Sequence, residues 1–246
     1  MNVAVFGANG RVGSKVVEIA TKRGHKVIPI DIKSDKFNDK TVLAATFAEQ
    51  RSISVMTTKV EALADVKKNE KVDVVIDFST AAATQEVCDF CILHRCALVS
   101  GVTGRNEQQQ QLIDDLSSEL PVVWKSNFSQ GVSMLHRICE IVARELPDWD
   151  CEIVEIHRKG KLDAPSGTAK SLAATVAQQK SFKHVTTHAL RLGSNFGKHE
   201  VIFATNGESL TLTHQAENVD IFALGAIIQA ESLRRLFQNT KYPLKE

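Results

Sequence analysis

His157, Arg158, Lys159 and Lys161 place four nitrogen bases within five residues, and Asp163-Ala-Pro-Ser-Gly-Thr168 follows directly. Upstream, Glu152-Ile-Val-Glu155-Ile alternates apolar and acidic residues, the pattern of a half-buried strand. Downstream, residues 171–179 carry helical periodicity. A strand therefore empties into a basic loop, and a helix opens at the Pro-Ser-Gly-Thr run. Pro165 fixes φ and suits a helix start, while Gly167 lets backbone come close to a ligand. N–H groups and hydroxyls at such a terminus attract anions, and the neighbouring bases raise the local potential. A small dicarboxylate suits that arrangement, and His157 and Lys161 can each release a proton to a molecule held there. The competing reading is a solvated basic loop. The Pro-Ser-Gly-Thr run weighs against it.

A second constellation stands at the start of the chain. Asn2-Val-Ala-Val-Phe6 is an apolar strand of the kind buried in a parallel sheet, and Gly7-Ala8-Asn9-Gly10-Arg11-Val12-Gly13 turns it into a helix from Ser14 to Lys22. Gly7 permits the tight turn, Gly10 lets backbone approach a pyrophosphate, and Gly13 allows close helix–sheet packing. The next strand, His25–Ile30, ends at Asp31, eighteen residues past Gly13. A carboxylate at that spacing accepts hydrogen bonds from the adenosine ribose of NAD, whereas Lys33 would attract the extra phosphate of NADP. Alternatively, Asp31 merely begins a turn.

These sites need elements to hold them. Lys71–Asp77 reads as a buried strand with Phe78-Ser79 at its carboxyl end, where ligands of open α/β sheets collect. Ala97–Ser100 is another strand, running into Gly101-Val102-Thr103-Gly104, and Asn106–Leu116 is an amphipathic helix. Pro121–Lys125 leads into Ser126-Asn127-Phe128. Met134–Leu146 is a helix with apolar positions at Leu135, Ile138, Ile141 and Val142. Further on, Cys151–Ile156, His199–Ala204 and Glu208–Ala216 alternate as strands, and Phe222–Leu233 is the last helix. A plausible short helix lies at Val60–Val66. The expected fold is α/β: a Rossmann-like, doubly wound parallel sheet plus a second α+β domain with an open mixed sheet. Residues 1–127 and 220–246 would form the dinucleotide-binding domain, and 128–219 the substrate-binding and oligomerisation domain.

A net charge of +1 argues against nucleic acid as a partner. No apolar run reaches membrane-spanning length, and no signal peptide is evident before the first strand, which points to the cytoplasm. Five cysteines, an odd number, read as reduced thiols. Cys88-x-x-Cys91 with His94 and Cys96 has the look of a zinc set. Yet Val87, Phe90, Cys91 and His94 share one side of a helical segment, so buried thiols are expected and no metal.

His157-x-x-x-Lys161-x-Asp163-Ala-Pro-Ser-Gly-Thr168 resembles the signature of the dihydrodipicolinate reductase (4-hydroxy-tetrahydrodipicolinate reductase) family. The likeness extends along nearly the whole chain, through the glycine turn, the Asp77-Phe-Ser turn, Gly101-Val-Thr-Gly104 and Asn127-Phe-Ser-x-Gly-Val132. It implies reduction, by NADH or NADPH, of a cyclic imine dicarboxylate in lysine and diaminopimelate biosynthesis, by a homotetramer joined through its mixed sheets. It implies His157 and Lys161 as catalytic residues, and Arg158, Ser166, Gly167 and Thr168 as substrate-binding residues. Cofactor contacts would come from Gly7, Ala8, Asn9, Gly10, Arg11, Val12, Asp31, Lys33, Phe78, Ser79, Gly101, Val102, Thr103, Ser126, Asn127 and Phe128.

This chain departs from the family pattern at Arg158, usually a second histidine, at Val102, at Leu192 and at Val219, usually a basic residue. Two other readings stand beside the resemblance. One is a different Rossmann amino-acid dehydrogenase, of the homoserine or diaminopimelate dehydrogenase type. The other is a non-catalytic NAD(P)-sensing module, against which the retention of both His157 and Lys161 argues.

Overall fold

The computed structural model describes residues 1–31, 71–179, 181–182 and 184–239. Contacts divide the chain into two compact units, Met1–Lys125 with Ala223–Glu246, and Ser126–Phe222. These divisions fall two residues before the expected junction at 127/128 and three after that at 219/220. Ser126, Asn127 and Phe128 thereby fall in the second unit.

The first unit is built on five parallel strands: β1 (Asn2–Phe6), β2 (Lys26–Ile30), β3 (Val74–Asp77), β4 (Ala97–Ser100) and β5 (Val122–Trp124). Their order is β2-β1-β3-β4-β5. The chain leaves β1 in one direction to reach β2 and returns on its other side to β3, so the order reverses between β1 and β3. Open α/β sheets bind ligands at such a reversal, beyond the carboxyl ends of the strands. Helices α1 (Gly13–Lys22), α2 (Thr84–His94) and α3 (Glu107–Glu119) alternate with these strands. The β3 strand is shorter than the Lys71–Asp77 run suggests. All four of its residues are buried, and so are all four of β4, which explains their unbroken apolar character.

Phe6 and Phe90 meet edge-to-face in this core, with centroids 5.3 Å apart. Asn106 caps α3 with a reciprocal bond to Gln109, a local signal that fixes where the helix begins. All five cysteines are free and buried, and burial raises the Cys88 thiol to about 11 and those of Cys139 and Cys151 to about 12. The Val60–Val66 helix and Lys33 lie outside the described residues.

In the second unit, β6 (Asp150–His157), β7 (Thr186–Arg191), β8 (Lys198–Thr205) and β9 (Glu208–Gln215) form a mixed sheet in the order β7-β6-β8-β9. β7 runs parallel to β6, and the other pairings are antiparallel. Helices α4 (Gln130–Glu145) and α5 (Gly167–Ala177) share one core with this sheet, including Leu135, Cys139, Ile153, Leu172, Val201 and Phe203. The stripe anticipated on α4 needs correction. Val132, Leu135, Cys139 and Ala143 are the buried positions, whereas Ile138 and Ile141 are exposed. A final helix, α6, runs from Asp220 to Asn239.

Candidate active site

The glycine turn of the first unit is tightly determined. Gly7 has φ +74°, and a Cβ there would lie 2.6 Å from the carbonyl oxygen of Phe78. Gly13 is more constrained still, since a Cβ would fall 2.0 Å from the Gly7 carbonyl oxygen. At Gly10 the corresponding approach to Gly7 O is 3.0 Å, and the residue is exposed. The start of α1 has no side-chain cap and no acidic residue in its first turn. An anion can therefore meet the backbone N–H groups of that turn without a competing side chain.

Asp31, at the carboxyl end of β2, accepts a 2.6 Å hydrogen bond from Asn9 N. Its carboxylate is thus docked on the glycine turn. Ala8 is buried, while Asn9 and Arg11 are exposed and Val12 is half-buried.

Two more turns meet this one. Asp77 folds Phe78-Ser79 back on itself by accepting from Ser79 N at 3.0 Å and from its hydroxyl. A Cβ on Gly101 would strike the Phe78 ring at 2.3 Å, so Gly101 is a glycine because Phe78 lies across it. Below, Arg105 donates to Ser100 Oγ (2.7 Å) and to the Val102 carbonyl (3.2 Å), which also receives Trp124 Nε1 at 2.7 Å. Val102 is buried and Thr103 exposed. These residues fit a nicotinamide dinucleotide: an open helix start for its pyrophosphate, an acid at its ribose, and backbone turns at the strand ends.

The second unit carries the basic loop. Along β6 the inward positions are Cys151, Ile153, Glu155 and His157, so the buried face changes from apolar to ionisable toward the carboxyl end. Pairing sets Arg191 of β7 opposite His157 and His199 of β8 opposite Glu155. Glu155 is fully buried and occupied on every side. Arg191 grips it with two bonds, at 2.7 and 2.9 Å, Ser166 N donates to it at 3.0 Å, and His157 Nδ1 contacts its other oxygen.

Burial alone would push the Glu155 carboxyl up, yet Arg191, His157 and the Ser166 N–H together hold it below the usual carboxylate range. Burial lowers His157 below the ordinary imidazole value, assisted by Lys161 and Arg191 and opposed by Glu155. Gly197, at φ +142°, leaves room for that ring, because a Cβ there would sit 2.9 Å from His157 Nε2.

Neither Glu155 nor Arg191 belongs to the site residues expected from the sequence. Strand alternation was the available signal, since it puts Glu155 on the same face as His157 and Ile153.

The helix start is built from the same parts. Ser166 is the N-cap of α5; its hydroxyl accepts from Ala169 N at 3.1 Å and lies 3.3 Å from His199 Nε2. Pro165 therefore precedes the cap rather than opening the first turn. Ser166 is buried with both polar groups engaged, so it supports the helix start and presents no hydroxyl outward. His199 is brought down to about 4, chiefly by burial, with His157, His214 and Lys161 nearby opposing any added positive charge and Glu155 pulling the other way. It stands in the site as a neutral ring, edge-on to His157 at 5.2 Å.

Gly167 is exposed, and a Cβ on it would meet nothing within 4 Å. No packing inside the protein requires a glycine there. Thr168 Oγ1 accepts from Asn127 Nδ2 at 3.0 Å, so Asn127 works here on the helix start. Ser126 is exposed and Phe128 buried.

Lys161 Nζ pairs with Asp163 Oδ1 at 2.7 Å; against some burial, that amine and the nearby backbone N–H groups of Asp163 and Gly167 hold the Asp163 carboxyl below the ordinary range. The lysine and the helix start thus already share one carboxylate, supplied by the chain itself. Arg158 and Lys159 are exposed, strapped by their N–H groups to the carbonyls of Asn195 (2.9 Å) and Gly193 (3.2 Å). Val219 brings no charge, and its carbonyl accepts from Phe222 N at 3.1 Å.

Comparison with known proteins covers both halves of the chain. Residues 1–128 match the family model described as dihydrodipicolinate reductase, N-terminus, and residues 131–245 match its C-terminus. The 4-hydroxy-tetrahydrodipicolinate reductase of Stenotrophomonas maltophilia (strain R551-3) is 33% identical over 234 residues, which cover 95% of this chain and 92% of the relative. That of Natronomonas pharaonis is 33% identical over 249 residues, covering 95% and 94%. Among solved structures, the dipicolinate-bound dihydrodipicolinate reductase from Paenisporosarcina sp. TG-14 superposes with a TM-score of 0.74 at 23% identity, covering 96% of this chain and 95% of that one. The diaminopimelate dehydrogenase of C. glutamicum reaches a TM-score of 0.50 at 12% identity over 97% of this chain and 90% of that one, a likeness of fold alone. With both halves matched in order, the chain belongs to the dihydrodipicolinate reductase family.

Proposed function

We propose that this protein reduces 4-hydroxy-tetrahydrodipicolinate (dihydrodipicolinate) to tetrahydrodipicolinate with NADH or NADPH, in lysine and diaminopimelate biosynthesis. The carrying observation is the 2.7 Å pair between Lys161 Nζ and the Asp163 carboxylate, just ahead of the start of α5. A substrate carboxylate would take that place, next to the group that can deliver a proton.

The nicotinamide supplies a hydride to the conjugated ring; the protein's tasks are orientation, charge and the proton. Gly167 and Thr168 hold one carboxylate at the start of α5, with Asn127 fixing the Thr168 hydroxyl. Arg158 supplies a further cation in place of the usual histidine, and offsets the missing charge at Val219. Lys161 gives its proton to the ring.

The nucleotide occupies the turns at Gly7–Gly13, Asp31, Phe78–Ser79 and Gly101–Thr103. Asp31 repels a 2′-phosphate, which favours NADH modestly because the charge is screened by salt. Lys33 would offset that bias. The enzyme works as a homotetramer joined through its mixed sheets, in keeping with the exposed Leu190 and Leu210 on β7 and β9. Its free, buried thiols suit a reducing cytoplasm.

Arg158→Ala tests the carboxylate assignment. It should raise KM for substrate and the inhibition constant of dipicolinate about tenfold, with kcat changed by no more than about twofold. Unchanged dipicolinate binding would remove Arg158 from the substrate site.

A further inference from the structure

Glu155 is a buried carboxylate that the reaction itself does not need, yet it touches three parts of the site. Resting on the reading that His157 and Lys161 act on a bound dicarboxylate, we propose that Glu155, clamped by Arg191, is a positioning residue that fixes His157 in its Nδ1–H tautomer. Nε2 is then left bare as an acceptor, and Lys161 becomes the proton donor of the pair.

The inference rests on hydrogen-bond valence. An ionised carboxylate only accepts. One Glu155 oxygen takes Ser166 N and Arg191 Nη2, and the other takes Arg191 Nη1 and faces His157 Nδ1. A bare Nδ1 would set two lone pairs against each other in a buried site, so Nδ1 carries the hydrogen.

Charge balance agrees. The groups facing the ring are Glu155 from β6, Arg191 from β7, His199 from β8, and Lys161 with its partner Asp163 from the loop. His199 is neutral, and Glu155 and Arg191 cancel, as do Lys161 and Asp163. A cationic His157 would leave an excess positive charge in a buried place; a neutral ring leaves none. Because Ser166 N shares the same carboxylate, the ring and the start of α5 hang from one anchor. Displacing Glu155 displaces both.

Nitrogen-15 labelling of the histidine rings tests this on the full-length protein, with His157→Asn used to identify the His157 signals. Wild type at neutral pH should show a protonated Nδ1 and a bare Nε2. In Glu155→Gln the ring should move to a mixture of tautomers. Its kcat should fall about 10–100-fold, the range typical when a histidine loses its supporting partner, with NADH affinity unchanged.

Should Glu155→Gln fail to fold because Arg191 is left uncompensated, Glu155→Gln/Arg191→Gln removes both charges and carries the same expectation. A wild-type ring protonated on Nε2, or a folded variant that keeps the wild-type ring signature, overturns the proposal. The ring signature decides the positioning claim whether or not the protein turns substrate over, so failure of the reductase reading is recognised separately, by absent turnover.

Discussion

Lys161→Ala should lower kcat by about 10²–10⁴-fold, the usual worth of a positioned general acid, while the Kd for NADH stays at the wild-type value. The two effects separate because the glycine turn and Asp31 belong to the first unit and Lys161 to the second. Removing the amine also releases Asp163, whose carboxylate then loses its side-chain partner ahead of the helix start. KM should therefore rise as well, since an unpaired carboxylate in the substrate's place repels a dianion. Steady-state kinetics alongside a fluorescence titration with NADH would measure both. A kcat within about threefold of wild type would take the proton-donor role away from Lys161.

The second large effect is expected at Gly13. Alanine there directs a Cβ to 2.0 Å from the Gly7 carbonyl oxygen and 2.7 Å from its carbon. Both are backbone atoms of a turn already fixed by Gly7 against Phe78, so neither can swing aside as a side-chain tip would. Forcing the turn apart should cost about 1–3 kcal/mol or more in stability and raise the Kd for NADH at least tenfold.

Gly167→Ala is the matched control. Its Cβ meets nothing, and alanine favours the helix by about 1 kcal/mol, so stability should hold or improve while substrate KM rises. Urea unfolding with NADH titration distinguishes the pair. Wild-type stability and affinity in Gly13→Ala would mean that the turn is not built as described.

Much of the molecule could be read from its sequence because local signals agreed with tertiary ones. The apolar run Asn2–Phe6, the glycines after it and Asp31 at the next strand's end follow one packing logic, and each lies where that logic requires. The basic loop was equally legible, since proline, serine and glycine mark the start of α5.

What escaped has physical causes. Thr186–Arg191 forms β7 with only half-buried and exposed residues, so no apolar alternation announces it, and nothing in the local pattern marks Arg191 as a site residue. Glu155 looks like the polar half of a half-buried strand, but in that register it faces inward, made tolerable by a bidentate arginine that only the sheet pairing brings near. Ile138 and Ile141 suggest the core face of α4 by type, although Cys139 and Ala143 lie closer to the sheet and are the buried ones. Small residues pack best where a helix approaches closely, and hydrophobicity alone does not mark them.

Reductase activity can be measured in a coupled assay. The product of dihydrodipicolinate synthase is passed to this protein, and nicotinamide absorbance is followed with NADH and with NADPH. Both cofactors should be oxidised only when the synthase product is present, somewhat faster with NADH, and dipicolinate should inhibit the reaction. Loss of absorbance that does not depend on the synthase product, or none with either cofactor from folded protein that binds NADH, would contradict that activity.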